Sequence, residues 1–289
     1  MSERIQSIEH HNEVMIAAVA NLAMRLHMLV GDEATPITMH LKPDGSKVTS
    51  ADIELNELFN NYIRARCPED YIQGEELSAG PEGEFDPERH GLWTVDPIDG
   101  TNGFWRDYGN RHFKASNTTI QTSWFAPGER APTLSLIASP LNELKTTLLA
   151  TPEGTFYATE HTLPWKQVYA PHGPETLEDV ARYDKNFWPG IDTRYEQIGE
   201  FFPYARRINH PLGYAALALG DCDLGMFPGT HPHDIAPNAH IVHQAGGVVR
   251  TLAGESYDDV DWRVEPTAGV LVTGNEALAD AFLCKLLAE

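Results

Sequence analysis

The most informative stretch of the chain is Val95-Asp96-Pro97-Ile98-Asp99-Gly100-Thr101. The residues that lead into it, Leu92–Val95, are apolar and rich in β-forming side chains, which predicts a short buried strand. A proline and a glycine inside the stretch then predict a sharp turn at the end of that strand. Because Asp96 and Asp99 stand on either side of the turn, their carboxylates can converge on one point.

This pair of carboxylates predicts a metal site. Two like charges held close together push a proton onto one of them unless a cation lies between them, and oxygen ligands suit Mg²⁺ or Mn²⁺ better than zinc. If a helix begins after the turn, the backbone N–H groups of Gly100, Thr101 and Asn102 can bind an anion such as phosphate. The alternatives are an ordinary loop and a calcium loop, but a calcium loop has Glu at its twelfth position, where this chain has Asp107.

The composition argues against several classes of partner. Of the 289 residues 42 are acidic and 21 basic, and the formal charge of −21 argues against a nucleic acid or an anionic membrane. The three cysteines are scattered, which fits a reducing compartment, and the N-terminus lacks the layout of a signal peptide. No apolar stretch comes near the roughly 20 residues of a membrane span. We therefore expect a cytoplasmic protein that does not contact membranes.

Hydrophobic periodicity predicts the elements of the first half of the chain. Apolar residues at spacings of three and four predict an amphipathic helix over about residues 5–30. A strand at Pro36–His40 with a turn at Asp44-Gly45 follows, and capping residues at Thr49–Asp52 begin a second helix that ends near Cys67. Extended segments are then predicted at Tyr71–Gln73, Leu92–Val95, Asn117–Trp124, Thr133–Ala138 and Lys145–Ala150, of which the last three form an antiparallel meander.

The second half alternates between helices and strands. The predicted helices are Leu212–Leu219, Ile235–Gln244 and Glu276–Leu287, and the predicted strands are Leu224–Phe227, Val248–Arg250 and Val270–Thr273. A polar, proline-rich segment predicts a boundary between an N-terminal α+β subdomain (residues 1–160) and a C-terminal α/β subdomain (residues 161–289). Mixed strands and helices in both halves predict a layered α/β or α+β architecture.

Acidic residues far apart in the sequence suit the same chemistry. They are the pair Glu75 and Glu76 after a glycine, the turn pair Asp96 and Asp99, and Asp52 and Asp234 near the starts of helices. Each has a simpler explanation when taken alone: a solvated pair, a turn residue or a helix N-cap. The order in which they occur is what distinguishes them.

In that order these residues resemble the signatures of the inositol monophosphatase family of metal-dependent phosphatases. The matching segments are Val48–Asp52, Gly74–Glu76, Asp96–Thr101, His233–Ala236 and Gly246-Gly247. The Asp-Pro-Ile-Asp-Gly-Thr match is the most specific of them. The resemblance implies an αβαβα layered sandwich like that of fructose-1,6-bisphosphatase and inositol monophosphatase, and it implies a homodimer.

The resemblance also implies metal ligands. The ligands of a first Mg²⁺ would be Glu75, Asp96 and the backbone carbonyl of Ile98, and those of a second would be Asp96, Asp99 and Asp234. Asp52 and Glu75 would border a weaker third site. Mn²⁺ is the expected substitute for Mg²⁺, and Li⁺ is expected to compete at the place of the second ion.

The implied chemistry is two-metal hydrolysis. A water on the first ion would attack phosphorus, helped by Glu75 and by the Thr101 hydroxyl as a relay, with Asp52 beside them. The second ion would take up charge on the departing alkoxide. The backbone N–H groups of Gly100 and Thr101 would hold the phosphate. The chain would then be a Mg²⁺-dependent phosphomonoesterase that acts on a small phosphorylated substrate.

Two departures from the family pattern concern the substrate. Inositol-specific members carry a Glu seven residues before the position of Asp234. This chain has Phe227 there, and its ring cannot accept a hydrogen bond from a hydroxyl. The family usually has Trp where this chain has His233, which follows His231 by two residues, and the sequence leaves the roles of both open. The candidate substrate contacts are Asn102, Arg206, Asn209, His210, Tyr214 and His233.

The sequence therefore predicts hydrolysis of a small polyol, sugar or amino-alcohol phosphate without specificity for inositol. The alternatives are a histidinol-phosphate phosphatase, a 3′(2′),5′-bisphosphate nucleotidase and a non-catalytic regulatory member of the family. The chain offers no recognisable slot for adenine, which disfavours the nucleotidase. The complete acidic set disfavours the regulatory protein, since clustered carboxylates cost stability when no metal is bound.

Overall fold

The computed structural model describes residues 3–43, 45–113, 116–143, 145–159, 164–185, 197–208, 210–229, 231–264 and 268–288. The α-helices within these ranges are α1 (Glu3–Gly31), α2 (Ser50–Arg64), α3 (Thr101–Asn110), α4 (Pro232–Gln244) and α5 (Glu276–Ala288). The strands are β1 (Met39–Leu41), β2 (Lys47–Thr49), β3 (Tyr71–Gly74), β4 (Leu92–Asp99), β5 (Thr119–Phe125), β6 (Leu134–Ala138), β7 (Thr147–Thr151), β8 (Gly154–Ala158), β9 (Lys166–Val168), β10 (Arg182–Lys185), β11 (Arg206–Ile208), β12 (Leu224–Phe227), β13 (Val248–Thr251) and β14 (Val270–Thr273). Short 3₁₀ helices cover Gln197–Phe201, Gly213–Leu219 and Tyr257–Asp259.

The larger sheet has seven strands in the order β3-β4-β5-β6-β7-β8-β9. β3 and β4 are parallel, and each later pair is antiparallel, so the predicted meander is confirmed. Seven of the eight residues of β4 are buried. This strand carries the motif into the centre of the protein.

The smaller sheet has five strands in the order β11-β10-β12-β14-β13. β10 runs parallel to both of its neighbours, whereas β14 is antiparallel to β12 and β13. α4 packs against both sheets, and α5 packs against β13 and β14 of the smaller one.

Alternate residues of β6 show that the larger sheet is covered on both faces. Leu136 packs in a cluster with residues of α1 and α2, whereas Ile137 packs with Ile241 of α4. The layers are therefore α1 and α2, the larger sheet, α4, the smaller sheet and α5. This is the predicted αβαβα sandwich.

Some elements differ from the sequence prediction. β8, β9, β10 and β11 were not predicted. β9, β10 and β11 have only three or four residues, and β9 and β11 each have two exposed polar positions. β8 has five residues and no exposed position, and it was missed although its length equals that of β7. The segment predicted as a helix at Leu212–Leu219 is a 3₁₀ helix, and the first strand lies at Met39–Leu41 rather than Pro36–His40. Asp44 of the predicted turn lies outside the described residues. β9 pairs with β8 of the larger sheet although it lies beyond residue 160, and the division into subdomains stays a prediction.

α1 corrects the expectation that no apolar stretch is long enough for a membrane span. Among the described residues, Arg4–Gly31 passes that test by length and composition, and 39% of its apolar window is buried within the protein. Leu22 and Leu26 on its inner face are fully buried in the core beneath the larger sheet. A core helix has the same properties.

Candidate active site

The parallel pairing of β3 and β4 brings the first acidic residues together. Gly74 lies opposite Val95, and the N–H of Glu75 donates a 3.0 Å hydrogen bond to the Val95 carbonyl. The chain turns away at Glu75 while β4 continues to Asp96. Because parallel strands end at the same edge of a sheet, Glu75 and Asp96 lie side by side.

An irregularity in β4 places both aspartates of the motif at this edge. Asp96 pairs with Gln121 of β5, but Asp99 pairs with Thr119, so β4 has one more residue in this interval than its partner. Pro97 has no N–H to contribute to a regular ladder, which suits a bulge. The Asp96 Oδ1 accepts a 2.9 Å hydrogen bond from the Ile98 N–H and closes the turn.

Asp234 reaches the same place from α4. It lies in the first turn of that helix, which begins at Pro232 and continues through Pro237 as the sequence predicted. The Asn238 Nδ2 donates to the Asp234 carbonyl at 3.0 Å and to the Gln121 Oε1 at 2.7 Å, and the Gln121 Nε2 donates to the Asp99 Oδ2 at 2.7 Å. These bonds fix the start of α4 to the end of β4.

The three aspartates fit a divalent cation. One carboxylate oxygen from each of Asp96, Asp99 and Asp234 lies within 4.8 Å of the others. Burial, and then the neighbouring charges, raise the pKa of Asp96 and that of Asp234 well above the ordinary value. Burial raises the pKa of Asp99 to about 6, against hydrogen bonds from Thr119 and Gln121 that lower it. A hard divalent ion would relieve this repulsion, and an all-oxygen donor set suits Mg²⁺.

A second acidic group lies beside the first. One carboxylate oxygen from each of Asp52, Glu75 and Glu76 lies within 4.8 Å of the others. The Lys42 ammonium lies 3.0 Å from the Glu75 Oε1 and 2.6 Å from the Glu76 Oε1. This cation stands where the sequence analysis expected a weak third metal, and any ion there would compete with it.

Asp52 supports a helix as well as the site. Its Oδ2 accepts from the Thr49 hydroxyl and, at 2.8 Å, from the Thr49 N–H, so the pair forms a capping box at the start of α2. The other oxygen, Oδ1, accepts a 3.1 Å hydrogen bond from the Thr101 hydroxyl. Burial raises the pKa of Asp52 to about 6.

The start of α3 lies where the sequence predicts an anion seat, and its phosphate-binding role stays a prediction. Gly100 precedes the helix with φ of 84°, a left-handed conformation that glycine adopts easily, and no side chain caps the first N–H groups. The Thr101 hydroxyl is also 3.2 Å from the Ile98 carbonyl oxygen, so it lies between that carbonyl and Asp52. The helix start therefore offers N–H donors beside the carboxylates.

A cavity of about 190 Å³ adjoins Asp99, Gly100 and Asp234. Two of the six candidate substrate contacts, His210 and Tyr214, line it, as does Phe227. The Tyr214 hydroxyl donates to the Ile235 carbonyl at 3.1 Å, so it holds α4 in place. The His210 Nδ1 accepts from the Leu212 N–H at 3.2 Å, which leaves the proton on Nε2, 3.3 Å from the Asp221 Oδ2.

Three other candidate contacts, Asn102, Arg206 and His233, are described and do not line this cavity. Asn102 lies in the first turn of α3 and is exposed, and Arg206 is exposed in β11. His233 is half-buried, with its Nε2 3.7 Å from the Asp234 Oδ1, and its ring stacks on that of His231 with centroids 5.5 Å apart. Asn209 lies outside the described residues.

Sequence reasoning missed Lys42, Gln121 and Asn238. Lys42 lies between β1 and β2 and reaches the glutamates only because the two strands pair. Gln121 could have been found, since it lies in the strand that pairs with the motif. Asn238 follows Asp234 by one helical turn, which is the spacing of neighbours on one helix face.

The comparisons with known proteins identify the family. Residues 10–289 match the inositol monophosphatase family. The chain belongs to this family. A histidinol-phosphatase of Streptomyces coelicolor is 26% identical over 268 residues, which are 87% of this chain and 88% of that protein. The 3′(2′),5′-bisphosphate nucleotidase CysQ of Escherichia coli O157:H7 is 26% identical over 239 residues, 83% and 86% of the two chains.

Solved structures share the whole fold. A crystal structure of an IMPase/NADP phosphatase complexed with Mg²⁺ and phosphate superposes with a TM-score of 0.71 and 18% identity, covering 97% of this chain and 96% of the other. Family membership makes the chain a phosphatase, and the family acts on small phosphorylated substrates. The Mg²⁺ and phosphate in that solved structure are consistent with dependence on a divalent metal.

Proposed function

We propose that this phosphatase hydrolyses a small polyol, sugar or amino-alcohol phosphate with Mg²⁺, and that inositol phosphate is not its preferred substrate. The observation that carries the proposal is the meeting of Asp96, Asp99 and Asp234 beside the uncapped start of α3. Metal ligands and phosphate donors are then adjacent, as hydrolysis of a phosphate ester requires.

The ligand sets are proposed as the resemblance implies. Asp96, Asp99 and Asp234 would hold one Mg²⁺, and Glu75, Asp96 and the Ile98 carbonyl would hold another. Bound Mg²⁺ lowers the pKa of water and neutralises charge on the phosphate oxygens. The Lys42 ammonium already lies against Glu75 and Glu76, so we favour two ions over three. Mn²⁺ offers the same coordination chemistry as a substitute.

The chain's own residues would orient the phosphate and move the proton. The N–H groups of Gly100 and Thr101 would donate to the phosphate oxygens. The Thr101 hydroxyl, 3.1 Å from the Asp52 Oδ1, would pass a proton from the attacking water to that carboxylate while Glu75 orients the water. With a pKa of about 6, Asp52 would exchange a proton near neutral pH.

Phe227 supports the exclusion of inositol. Its ring is 5% exposed, lines the cavity and stacks on Tyr214 with ring centroids 6.1 Å apart. A hydroxyl placed against it would lose a hydrogen bond, and an unsatisfied buried polar group costs about 1–3 kcal/mol. Substrates with fewer hydroxyl groups at this position would avoid that cost.

Histidinol phosphate is the second candidate. The cavity wall includes the buried carboxylate of Asp184, which is not one of the proposed metal ligands. A substrate with a cationic amine would find favourable charge there. The similarity to a histidinol-phosphatase points in the same direction.

A substrate panel tests both candidates. Phosphate release would be measured with Mg²⁺ on histidinol phosphate, inositol 1-phosphate, several sugar phosphates and adenosine 3′,5′-bisphosphate. Turnover of histidinol phosphate alone would rule out a sugar or polyol phosphate as the substrate. Preference for inositol phosphate would contradict the argument from Phe227. Preference for the bisphosphate would support the nucleotidase, and no turnover of any ester would support a regulatory protein.

Other properties implied by the resemblance stay predictions. Li⁺ should inhibit turnover in competition with the ion bound by Asp234, which a Li⁺ titration at several Mg²⁺ concentrations would test. The homodimer would be tested by light scattering of the purified protein. The cytoplasmic location, expected from the cysteines and the N-terminus, and the two subdomains, expected from the polar, proline-rich segment, stay predictions as well.

A further inference from the structure

A second cluster of metal-ligating side chains lies at the other end of β3. His10 and His11 belong to α1, and Cys67 and Asp70 belong to the loop between α2 and β3. One ligand atom from each of His11, Cys67 and Asp70 lies within 4.8 Å of the others. The His10 Nε2 is 3.9 Å from the Cys67 Sγ.

The hydrogen bonds of His11 present one ring nitrogen to this cluster. Its Nδ1 is 2.7 Å from the Ser7 carbonyl oxygen and therefore carries a proton. Its Nε2 lies 3.1 Å from the Asp70 Oδ2. A lone pair facing a carboxylate oxygen is repulsive, so either a second proton or a metal ion must lie there. Metal-binding histidines commonly donate their other N–H to a carbonyl, as His11 does.

The surroundings of the cluster favour an ordered, charged site. The indole N–H groups of Trp93 and Trp124 donate to the Asp70 Oδ2 at 2.8 Å and 3.1 Å. The His11 ring stacks on Trp124 with centroids 3.8 Å apart. The side chains of His11 and Asp70 are 12% and 11% exposed, so most of the cluster is shielded from solvent.

We propose that His10, His11, Cys67 and Asp70 bind one zinc ion in a tetrahedral site. Mixed nitrogen, sulfur and oxygen ligands suit Zn²⁺, and the ligand atoms of such a site lie about 3.3–3.6 Å apart. The ligand atoms of His11, Cys67 and Asp70 lie up to 4.8 Å apart, so they would need to approach by up to about 1.5 Å. His10, whose Nε2 also lies 3.4 Å from the Arg66 carbonyl oxygen, would have to turn toward the ion. The ion would join the first half of α1 to the loop that leads into β3.

This site is separate from the phosphatase centre. Asp70 and Glu75 stand at opposite ends of β3, so they are about 17 Å apart at the usual rise of a strand. The zinc would stabilise the protein and take no part in hydrolysis. The alternative occupant is a proton, which would make His11 and Asp70 an ordinary buried ion pair.

Cobalt distinguishes the two sites because only this one contains sulfur. The reduced protein would be saturated with Mg²⁺ and then titrated with Co²⁺. We expect one equivalent to produce a thiolate-to-cobalt charge-transfer band in the near ultraviolet, which carboxylate ligands cannot produce. Cys67→Ser should lose the band, whereas Cys222→Ser, which changes another buried cysteine, should keep it. Mg²⁺-dependent phosphate release should be unchanged in both variants.

The alternatives give different results. Absence of the band, or a band that survives in Cys67→Ser, would overturn the proposal. If Cys67→Ser does not fold, His10→Gln and His11→Gln provide the test, since each should weaken Co²⁺ binding at least tenfold while the protein stays folded. Unchanged Co²⁺ affinity in both variants would overturn the proposal and support the alternative, in which a proton lies between His11 and Asp70.

Discussion

The carboxylates of the active site differ in how many hydrogen bonds support them. The Asp99 Oδ2 accepts from Thr119 at 3.1 Å and from Gln121 at 2.7 Å, whereas Asp96 accepts one backbone bond from Ile98. Both carboxylates are held in place before a metal binds. These hydrogen bonds do not remove the electrostatic repulsion between the two carboxylates, which a bound cation would neutralise.

Replacing Asp99 with Asn should separate metal binding from folding. The amide keeps nearly the same shape but has one oxygen and no charge, so we expect Mg²⁺-dependent turnover to fall by about 10²-fold or more, since a lost metal contact is worth several kcal/mol. The metal-free protein should be no less stable, because one repelling charge is gone. Phosphate release and thermal unfolding measure the two effects.

Asp280→Asn is the matched control for that variant. This carboxylate is 65% exposed on α5, away from the site. Its removal should change neither turnover nor the melting temperature. Full activity in Asp99→Asn would contradict the two-metal scheme.

The stability of the metal-free protein should fall as pH rises from about 4 to about 6. Asp52 and Asp99 have an ordinary pKa of 3.8 in the unfolded chain and a pKa of about 6 in the fold. Between these values the folded state holds more protons than the unfolded state, so each rise in pH disfavours folding. Each carboxylate would contribute about 3 kcal/mol at most.

This pH effect is measured by urea unfolding in the presence of a chelator. The loss should be smaller in Asp99→Asn, and saturating Mg²⁺ should abolish it because the ion stabilises the ionised carboxylates. If the free energy of unfolding of the metal-free protein does not change across this pH range, the fold does not raise the pKa values of these carboxylates.

Among the elements, β4 and α3 form the site together through the turn that joins them. The bulge in β4 turns both aspartates toward the edge, and Gly100 then starts α3 with its N–H groups beside them. The position of these N–H groups thus depends on one left-handed residue.

Gly100→Ala should impair phosphate binding more than it impairs folding. A left-handed conformation costs alanine about 1–2 kcal/mol, and relaxation of that strain would move the N–H groups of α3. We expect a raised KM and a weaker inhibition by inorganic phosphate. Gly109→Ala is the control, because a Cβ there meets nothing within 4 Å; inside α3 it should stabilise by about 0.5–1 kcal/mol. Equal effects of the two variants on KM would count against the anion seat.

Elements with a strong local pattern could be predicted from the sequence. β4 is a continuous apolar run, and α2 has a capping box at Thr49 and Asp52. The pattern fails at β10 and β11, where the strands have three or four residues and neighbours in the sheet determine their conformation. Gly213–Leu219 has helical spacing, yet it forms a 3₁₀ helix in contact with α4.

At the scale of the whole molecule, α4 connects the two sheets and carries Asp234. Its residues Ala236 and Ala239 are fully buried. The Thr155 hydroxyl of the larger sheet donates to the Ile241 carbonyl at 2.7 Å, and the His240 Nδ1 lies 2.9 Å from the Ser135 Oγ. The helix is therefore held in one position between the layers.

Ala239→Leu should disturb both stability and catalysis. The added methyl groups have no space between the sheets, and overpacking of this kind costs about 1–3 kcal/mol. We expect a lower unfolding free energy in urea and a lower kcat, because α4 would carry Asp234 away from Asp96 and Asp99. Ala277→Leu on the exposed face of α5 should change neither. A variant that is destabilised but keeps full kcat would show that metal binding by Asp234 tolerates movement of α4.

The convergence of distant residues was predictable only in part. The resemblance predicted that Asp234 would meet Asp96 and Asp99, although no local pattern relates residues more than 130 positions apart. The contact of Lys42 with the two glutamates depends on the geometry of the β1–β2 hairpin. The packing of Phe227 on Tyr214 likewise follows from the tertiary arrangement.

The two carboxylate oxygens of Asp52 have different roles, since one caps α2 and the other accepts a hydrogen bond from Thr101. A genetic screen for inactive alleles would recover changes at this codon whether they act by lowering the amount of folded protein or by slowing each turnover. Specific activity per folded molecule, rather than activity per cell, is the quantity that separates the two. Directed evolution toward greater thermal resistance has correspondingly little freedom at this position.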